Sequence, residues 1–458
     1  MTRSIFLRGL AIVYIIAFAS LLPQIDGLIG SGGITPGHEY LQSLRSDYGV
    51  SAYGLFPTLA WFNSSDAFLH GMVWAGIGLA VLLLIGFVPL PAAIGLYLLY
   101  LSIDTVGQVF YSFQWDALLL EVGFAAVLLT PVGVHPSYKT PPSRLAVWVF
   151  RFLLFRLMFE SGAVKLLSRD PAWRNLTALN YHYETQPLPT PLAWYAHQLP
   201  SLVQKASVAG VFLVELIVPF LFFAPRRIRI IGASMTIGFQ LLIALTGNYT
   251  FFNLLTILLC LLLFTEKFIE RAPWNVRFVA VVLIPVGFLQ LLTTFGIGVN
   301  LPEPFRSMDY RAETFHLVNH YGLFAVMTTS RIEIVIEGSD DGMTWKDYEF
   351  KYKPGDVQRR LRWVAPYQPR LDWQMWFAAL SNYQSNPWFQ QLFLRLLEGR
   401  PEVTSLFELN PFPNHPPRFI RAVAYDYHFT DWSTGRKTGA VWTRTPQGDY
   451  FPPVSLRQ

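Results

Sequence analysis

Among 458 residues there is one cysteine, Cys260, and it sits inside the apolar run NLLTILLCLLLF. A lone thiol closes no intrachain disulfide and forms no dithiol pair, so thiol exchange within the chain is excluded. Charge is scarce too: 14% of residues are charged, against 52% hydrophobic and 16% aromatic. That apolar fraction exceeds what one soluble core needs. The net charge of +5 comes from Lys and Arg scattered in short loops, not from a stripe suited to phosphates, so nucleic acid is not an expected partner. The sequence has no internal repeat, low-complexity tract, Gly-rich phosphate loop, nucleophile elbow or kinase signature, and no cofactor is expected.

Long apolar runs are abundant. A helix needs ~20 apolar residues to cross ~30 Å of hydrocarbon, and about nine runs qualify as candidates: 5–22, 68–88, 90–110, 115–130, 145–167, 207–223, 228–245, 249–264 and 276–295. The first follows basic residues, as a signal peptide does, but it is long and lacks a clean small-residue cleavage site, so it reads as a retained span. If every run crosses, Arg3 and Arg8, Lys139 and Arg144, Arg226, Arg227 and Arg229, and Lys267, Arg271 and Arg277 share one side, while the loops 111–114 and 246–248 carry no Lys or Arg. The positive-inside rule then puts the N-terminus in the cytoplasm, and both 169–200 and everything after residue 300 outside it.

After residue 300 the pattern turns soluble. RIEIVIEGSDDGMTWKDYEFKY alternates apolar Ile332, Ile334 and Ile336 and then turns at Asp341–Gly342, a hairpin signature. RFIRAVAYDYHF and GAVWTRT read as further strands, and FAALSNYQSNPWFQQLFLRLLEG as two helical pieces broken before Pro387. The expected architecture is a polytopic α-helical membrane protein. Residues 1–300 form the bundle, with a re-entrant, extracytoplasmic segment at 169–200. Residues 301–458 form an extracytoplasmic β-sandwich with a helical insertion.

Ionisable residues inside spans are expensive and usually face a bundle interior or a wet cavity. Asp104, Asp116, Glu121, Glu160, Lys165 and Glu215 all fall at mid-depth or toward the outer side, forming a candidate intramembrane polar cluster. Segment 169–200 could cap it: Pro187, Pro189 and Pro191 remove backbone donors, and Trp173, Arg174, Asn175, Tyr181, Tyr183 and Trp194, with Pro187 and Pro189, offer an aromatic, prolyl surface to an apolar client segment. A structural reading stands beside this one. Arg156 and Glu160 are spaced for an ion pair on one helix, Asp116 and Glu121 could complement a helix dipole, Lys165 could snorkel, and His182 could simply pack. His316 and His320 in HLVNH have the four-residue spacing that puts two imidazoles on one helix face, but no Glu and no third ligand accompany them; no metal site is expected.

The stretches FESGAVKLLSRD, DPAWRNLTALNYHYETQPLPTPLAWYAHQLP and NHYGLFAVMTTSRIEIVIEGSDDGMTW closely resemble the lipase maturation factor family. The resemblance covers nearly the whole chain. It implies a protein of the endoplasmic reticulum membrane in eukaryotic relatives, needed for secreted lipases to fold and assemble, with its C-terminal domain in the lumen. This compact chain would then be a bacterial member in the inner membrane, with the bilayer and a secreted, lipase-like client as partners. SGAVKLLSRDPAW is more distantly similar to the vitamin K-dependent γ-glutamyl carboxylases. Lys165 matches one lysine of their Lys-Lys pair, whereas Leu166 stands at the other.

Two functions follow. One is a non-catalytic maturation factor whose outer domain and cap hold a client. The other is an intramembrane enzyme modifying a lipid, quinone or secreted polypeptide, with Lys165 as base or electrostatic stabiliser and Glu160, His182 and Glu184 handling protons. A transporter is a weaker third reading, because the polar residues gather on one side of the midplane and no repeat symmetry is visible.

Overall fold

The computed structural model describes residues 2–298, 302–303 and 305–456; the expected domain boundary at 300/301 lies outside these residues. Each of the nine apolar runs coincides with a helix. Six are long and apolar enough to cross a membrane: Thr2–Leu21, Asp66–Ile85, Pro89–Tyr111, Ser201–Phe223, Arg226–Thr246 and Trp274–Thr294. The other three differ for physical reasons. Gln114–Ala126 and Phe252–Leu261 are short. Arg144–Leu167 is long enough but carries Arg144, Arg151, Arg156, Glu160 and Lys165, and its charged residues from Arg151 onward are buried among its neighbours.

The C-terminal strands are β1 (Ile332–Ser339), β2 (Lys346–Phe350), β3 (Phe407–Leu409), β4 (Phe419–Phe429) and β5 (Trp442–Val454). Among the described residues they form one antiparallel sheet in the order β3-β2-β1-β4-β5, so the two facing sheets of the expected sandwich are not formed. Helices supply the second layer: Phe389 and Phe393 of Pro387–Leu397 pack ring to ring on Phe451 of β5. The hairpin forms at the Asp341–Gly342 turn, with Ile336 opposite Tyr348. Gly342 takes φ +74°, a left-handed conformation glycine adopts without a Cβ penalty, and the Asp341 carboxylate accepts the N–H groups of Met343 and Thr344. The alternation in β1 does not mark a wet face. Glu333 and Glu337 are also buried, because Arg331 and Lys353 hold the first and Arg421 the second.

The segment 169–200 folds as three short helices, Pro171–Arg174, Leu179–Thr185 and Pro191–His197. Asp170 starts the first by accepting the Ala172 N–H at 2.9 Å, an N-cap followed by Pro at the first helical position. The prolyl run is extended and lies against the loop 246–248 through a Pro189–Gly247 bridge. There Asn248 donates its backbone N–H to the Leu188 carbonyl at 3.1 Å.

Candidate functional site

Five of the six residues of the expected polar cluster, Asp116, Glu121, Glu160, Lys165 and Glu215, are divided among three separate joints rather than gathered around one cavity. In the first, Arg156 donates to Glu121 at 3.0 Å and Glu160 at 3.2 Å, to Gln290 at 3.3 Å and to the Asn319 carbonyl. The incoming chain at 319–321 completes it. Glu121 accepts the Asn319 N–H at 2.9 Å and the Tyr321 hydroxyl at 2.8 Å, and Glu160 accepts the Tyr321 N–H at 3.0 Å. This satisfies most of the buried charge, as burial at this depth requires.

In the second joint Asp116 receives both arms of the Arg370 guanidinium, at 2.9 and 3.0 Å, and the Tyr100 hydroxyl. Arg370 also donates to the Phe110 carbonyl at 2.6 Å and lies over the Tyr111 ring at 3.3 Å. A fork-to-carboxylate pair of this kind fixes orientation as well as distance. Asp116 does stand in the first turn of its helix, but its partner is Arg370 of the C-terminal domain rather than the helix dipole.

In the third, Lys165 donates to Glu215 at 2.8 and 3.0 Å and to the Ser161 carbonyl at 2.9 Å, with its ammonium 5.3 Å from the Trp173 ring centre. Glu215 sits in a π-helical turn, Leu213–Ile217. Gly162 permits the close approach, since a Cβ there would stand 2.8 Å from the Glu215 Cβ. Lys165 is buried by this pair and does not snorkel.

The proposed proton-handling set is therefore divided. Glu160 belongs to Arg156, and Lys165 to Glu215. Glu184 accepts the Phe429 N–H at 2.6 Å and lies 3.1 Å from His428 Nδ1, so it binds the cap to β4. His182 is close enough to Lys165 that burial first, and the ammonium charge second, push its imidazole down to about 4. Its Nε2 is 3.2 Å from the Tyr249 hydroxyl, which donates to Gln186 at 3.0 Å. His182 is thus neutral at neutral pH and poorly suited to take up a proton. Asp104 pairs with His316 at 3.4 Å. The helical pairing of His316 with His320 does not occur, because the preceding helix ends at Thr314.

Cap residues divide in the same way. Trp173, Pro187 and Pro189 are buried and cannot meet a client; Trp173 donates its indole N–H to the Phe324 carbonyl at 2.9 Å. Tyr183 and Trp194 are half-buried, while Arg174, Asn175 and Tyr181 are exposed. Four residues outside the predicted set carry most of the docking. Arg331 donates to the carbonyls of Glu184 (2.7 Å), Gln186 and Pro187 (2.9 Å). Asn248 accepts the N–H groups of Val364 and Ala365 and donates to the Arg362 carbonyl at 3.0 Å. Asp170 accepts the Met327 N–H at 2.6 Å, and Gln24 links Gln368 and Arg370. Each of the four stands in a connection or at the edge of a helix or strand, where no hydrophobic period marks it.

Comparison with known proteins places this geometry. Residues 1–271 match the lipase maturation factor transmembrane domain, and residues 317–452 the lipase maturation factor C-terminal domain. The chain belongs to the lipase maturation factor family. Lipase maturation factor 2 of Gallus gallus is 36% identical, covering 99% of this chain and 81% of the relative. Lipase maturation factor 1 of Bos taurus is 35% identical, over 99% and 89%, and lipase maturation factor 2 of Homo sapiens is 36% identical, over 99% and 82%. No solved structure matches the chain. As in the family's two-part description, a membrane portion and a sheet domain occur in one polypeptide; here all three charged joints involve or adjoin the seam between them.

Proposed function

We propose that this member of the lipase maturation factor family holds a secreted, lipase-like client while it folds, using the outer side of the cap and sheet domain. The observation that carries this reading is a division of labour. Asp116, Glu121, Glu160, Lys165 and Glu215 are occupied in joints, whereas an aromatic and aliphatic surface remains open. That surface comprises Leu192, Tyr195 and Leu199 of the cap with Trp432 beyond β4, the Trp432 ring lying 4.8 Å from Trp194 and 5.6 Å from Tyr195. A surface of this kind suits exposed apolar segments of an incompletely folded chain. Arg174, Asn175 and Tyr181 are also exposed on the cap.

The orientation belongs to the same proposal. Nine crossings, with the N-terminus in the cytoplasm, put the outer domain on the far side of a bacterial inner membrane. The contacts support this: the domain touches Gln24, Phe110 and Asn248, all in or beside connections of the side poor in Lys and Arg. An enzymatic reading keeps one supporting feature, the neighbourhood of Lys165, Glu215 and His182. Deleting the gene and comparing secreted proteins tests the maturation role. Loss of activity or folding of particular secreted proteins is expected; an unchanged secretome across several growth conditions would count against it.

A further inference from the structure

The Lys- and Arg-rich side of the bundle is short of carboxylates. Among the described residues of 2–8, 133–151, 224–229 and 263–277 the acids are Glu266 and Glu270, and each is already paired, with Arg226 and Arg144 respectively. Arg151 is left over. It is 5% exposed, and its Nε and Nη2 have no hydrogen-bond partner among the described residues. The charges that act on it are those of Arg229 and Arg144, both of its own sign. A buried, uncompensated charge of this kind is costly and calls for an anion.

The guanidinium is aimed at the surface near the start of its helix. Arg144, Trp148 and Arg151 share one face of Arg144–Leu167, and long helical side chains lean back toward the N-terminus. Accordingly the Arg151 guanidinium lies 5.8 Å from the centre of the Trp148 ring, and that ring is at the surface, 40% exposed. From Trp148 an aromatic track leads away from the charge. Phe223 lies 5.5 Å from Trp148, Phe155 lies 5.5 Å from Phe223, and exposed Phe220 lies 5.3 Å from Phe155 and 5.4 Å from Phe159. Between Trp148 and Phe159 the helix rises about 16 Å, roughly one leaflet of a ~30 Å hydrocarbon core.

We propose that Arg151 binds the phosphate of an anionic phospholipid in the leaflet on the Lys- and Arg-rich side, with an acyl chain along the track from Trp148 to Phe220. Arg151 supplies unused donors, and a guanidinium meets a phosphate through two N–H groups. Arg229, whose own donors go to the Leu263 and Ala224 carbonyls, and exposed Arg144 supply charge, which favours an anionic lipid over a zwitterionic one. A lipid is favoured over a soluble anion because the track continues from the charge into the hydrocarbon.

The test is thermal unfolding of the full-length protein in non-ionic detergent with added dioleoyl phosphatidylglycerol, dioleoyl phosphatidylcholine or sodium phosphate. Phosphatidylglycerol should raise the midpoint saturably, as a ligand of the folded state does, with phosphatidylcholine roughly tenfold weaker and phosphate without effect at the same concentration. Arg151→Met removes an uncompensated charge, so it should unfold no earlier than the parent in detergent alone and lose the response to phosphatidylglycerol. Arg144→Gln, at an exposed position, should keep the fold and weaken phosphatidylglycerol by roughly fivefold; should Arg151→Met fail to fold, this variant decides. Equal responses to the two lipids, a response to phosphate matching that to phosphatidylglycerol, a full response in folded Arg151→Met, or indifference to Arg144→Gln would overturn the proposal.

Discussion

Arg370 is fully buried against Asp116, and the cost of losing it follows from what is left behind. Arg370→Met strands a carboxylate without its partner, a destabilisation of about 3–5 kcal/mol, whereas removing both charges together costs much less. Thermal unfolding in detergent of Arg370→Met and of Arg370→Met/Asp116→Asn measures the difference; equal losses would show that the pair contributes only packing. His182 gives a pH signature. Its folded-state value is depressed to about 4 from an ordinary 6.5, so the unfolded chain binds the extra proton first. Stability should fall as pH drops from about 6.5 toward 4, and His182→Gln should flatten that slope. A slope unchanged in the variant would assign it to other groups. His316 has the opposite sign. With its value raised to about 9, its contribution is fully present below about 6.5 and is lost as pH rises through 9. At this scale the sequence identified which residues were unusual, and it identified the Arg156–Glu160 pair, whose partners are four apart on one helix. It could not identify the partners of Asp116 or Lys165, because Arg370 and Glu215 are distant along the chain and only the fold brings them together.

At the scale of elements, the cap acts as a tenon between bundle and sheet. Arg331 holds it by three carbonyls and is itself held by Glu333 at 2.6 Å. Arg331→Ala leaves those carbonyls and Glu333 without their donor. The expected result is faster proteolytic cleavage within 169–200 at unchanged secondary structure, read by limited digestion and circular dichroism; a cap as resistant as in the parent would show that Arg331 is dispensable to the seam. Helix positions were legible because ~20 apolar residues have few other uses, and the hairpin was legible because Asp-Gly suits its turn. The sandwich was not. Strand patterns reveal how many faces are apolar but not what covers them, and here the covering layer comes from Arg370–Ala378 and Pro387–Leu397. The first of these begins ahead of the expected helical stretch, at the buried arginine.

At the scale of the whole molecule, Tyr195, Leu199 and Trp432 are exposed and take no part in the joints, which is what the proposed client-holding role requires. Replacing Tyr195, Leu199 and Trp432 together by Ser removes exposed apolar area while leaving the joints intact. Lys165→Met/Glu215→Gln removes the charges of the third joint together and would eliminate any chemistry run through Lys165. Both variants, expressed in a deletion strain and verified as folded, can be compared by the amount of active client they release. The surface triple variant should lose most client output, and the Lys165→Met/Glu215→Gln variant should retain it. A folded surface variant with full output, beside a folded but inactive Lys165→Met/Glu215→Gln variant, would contradict the client-holding role and favour chemistry at Lys165.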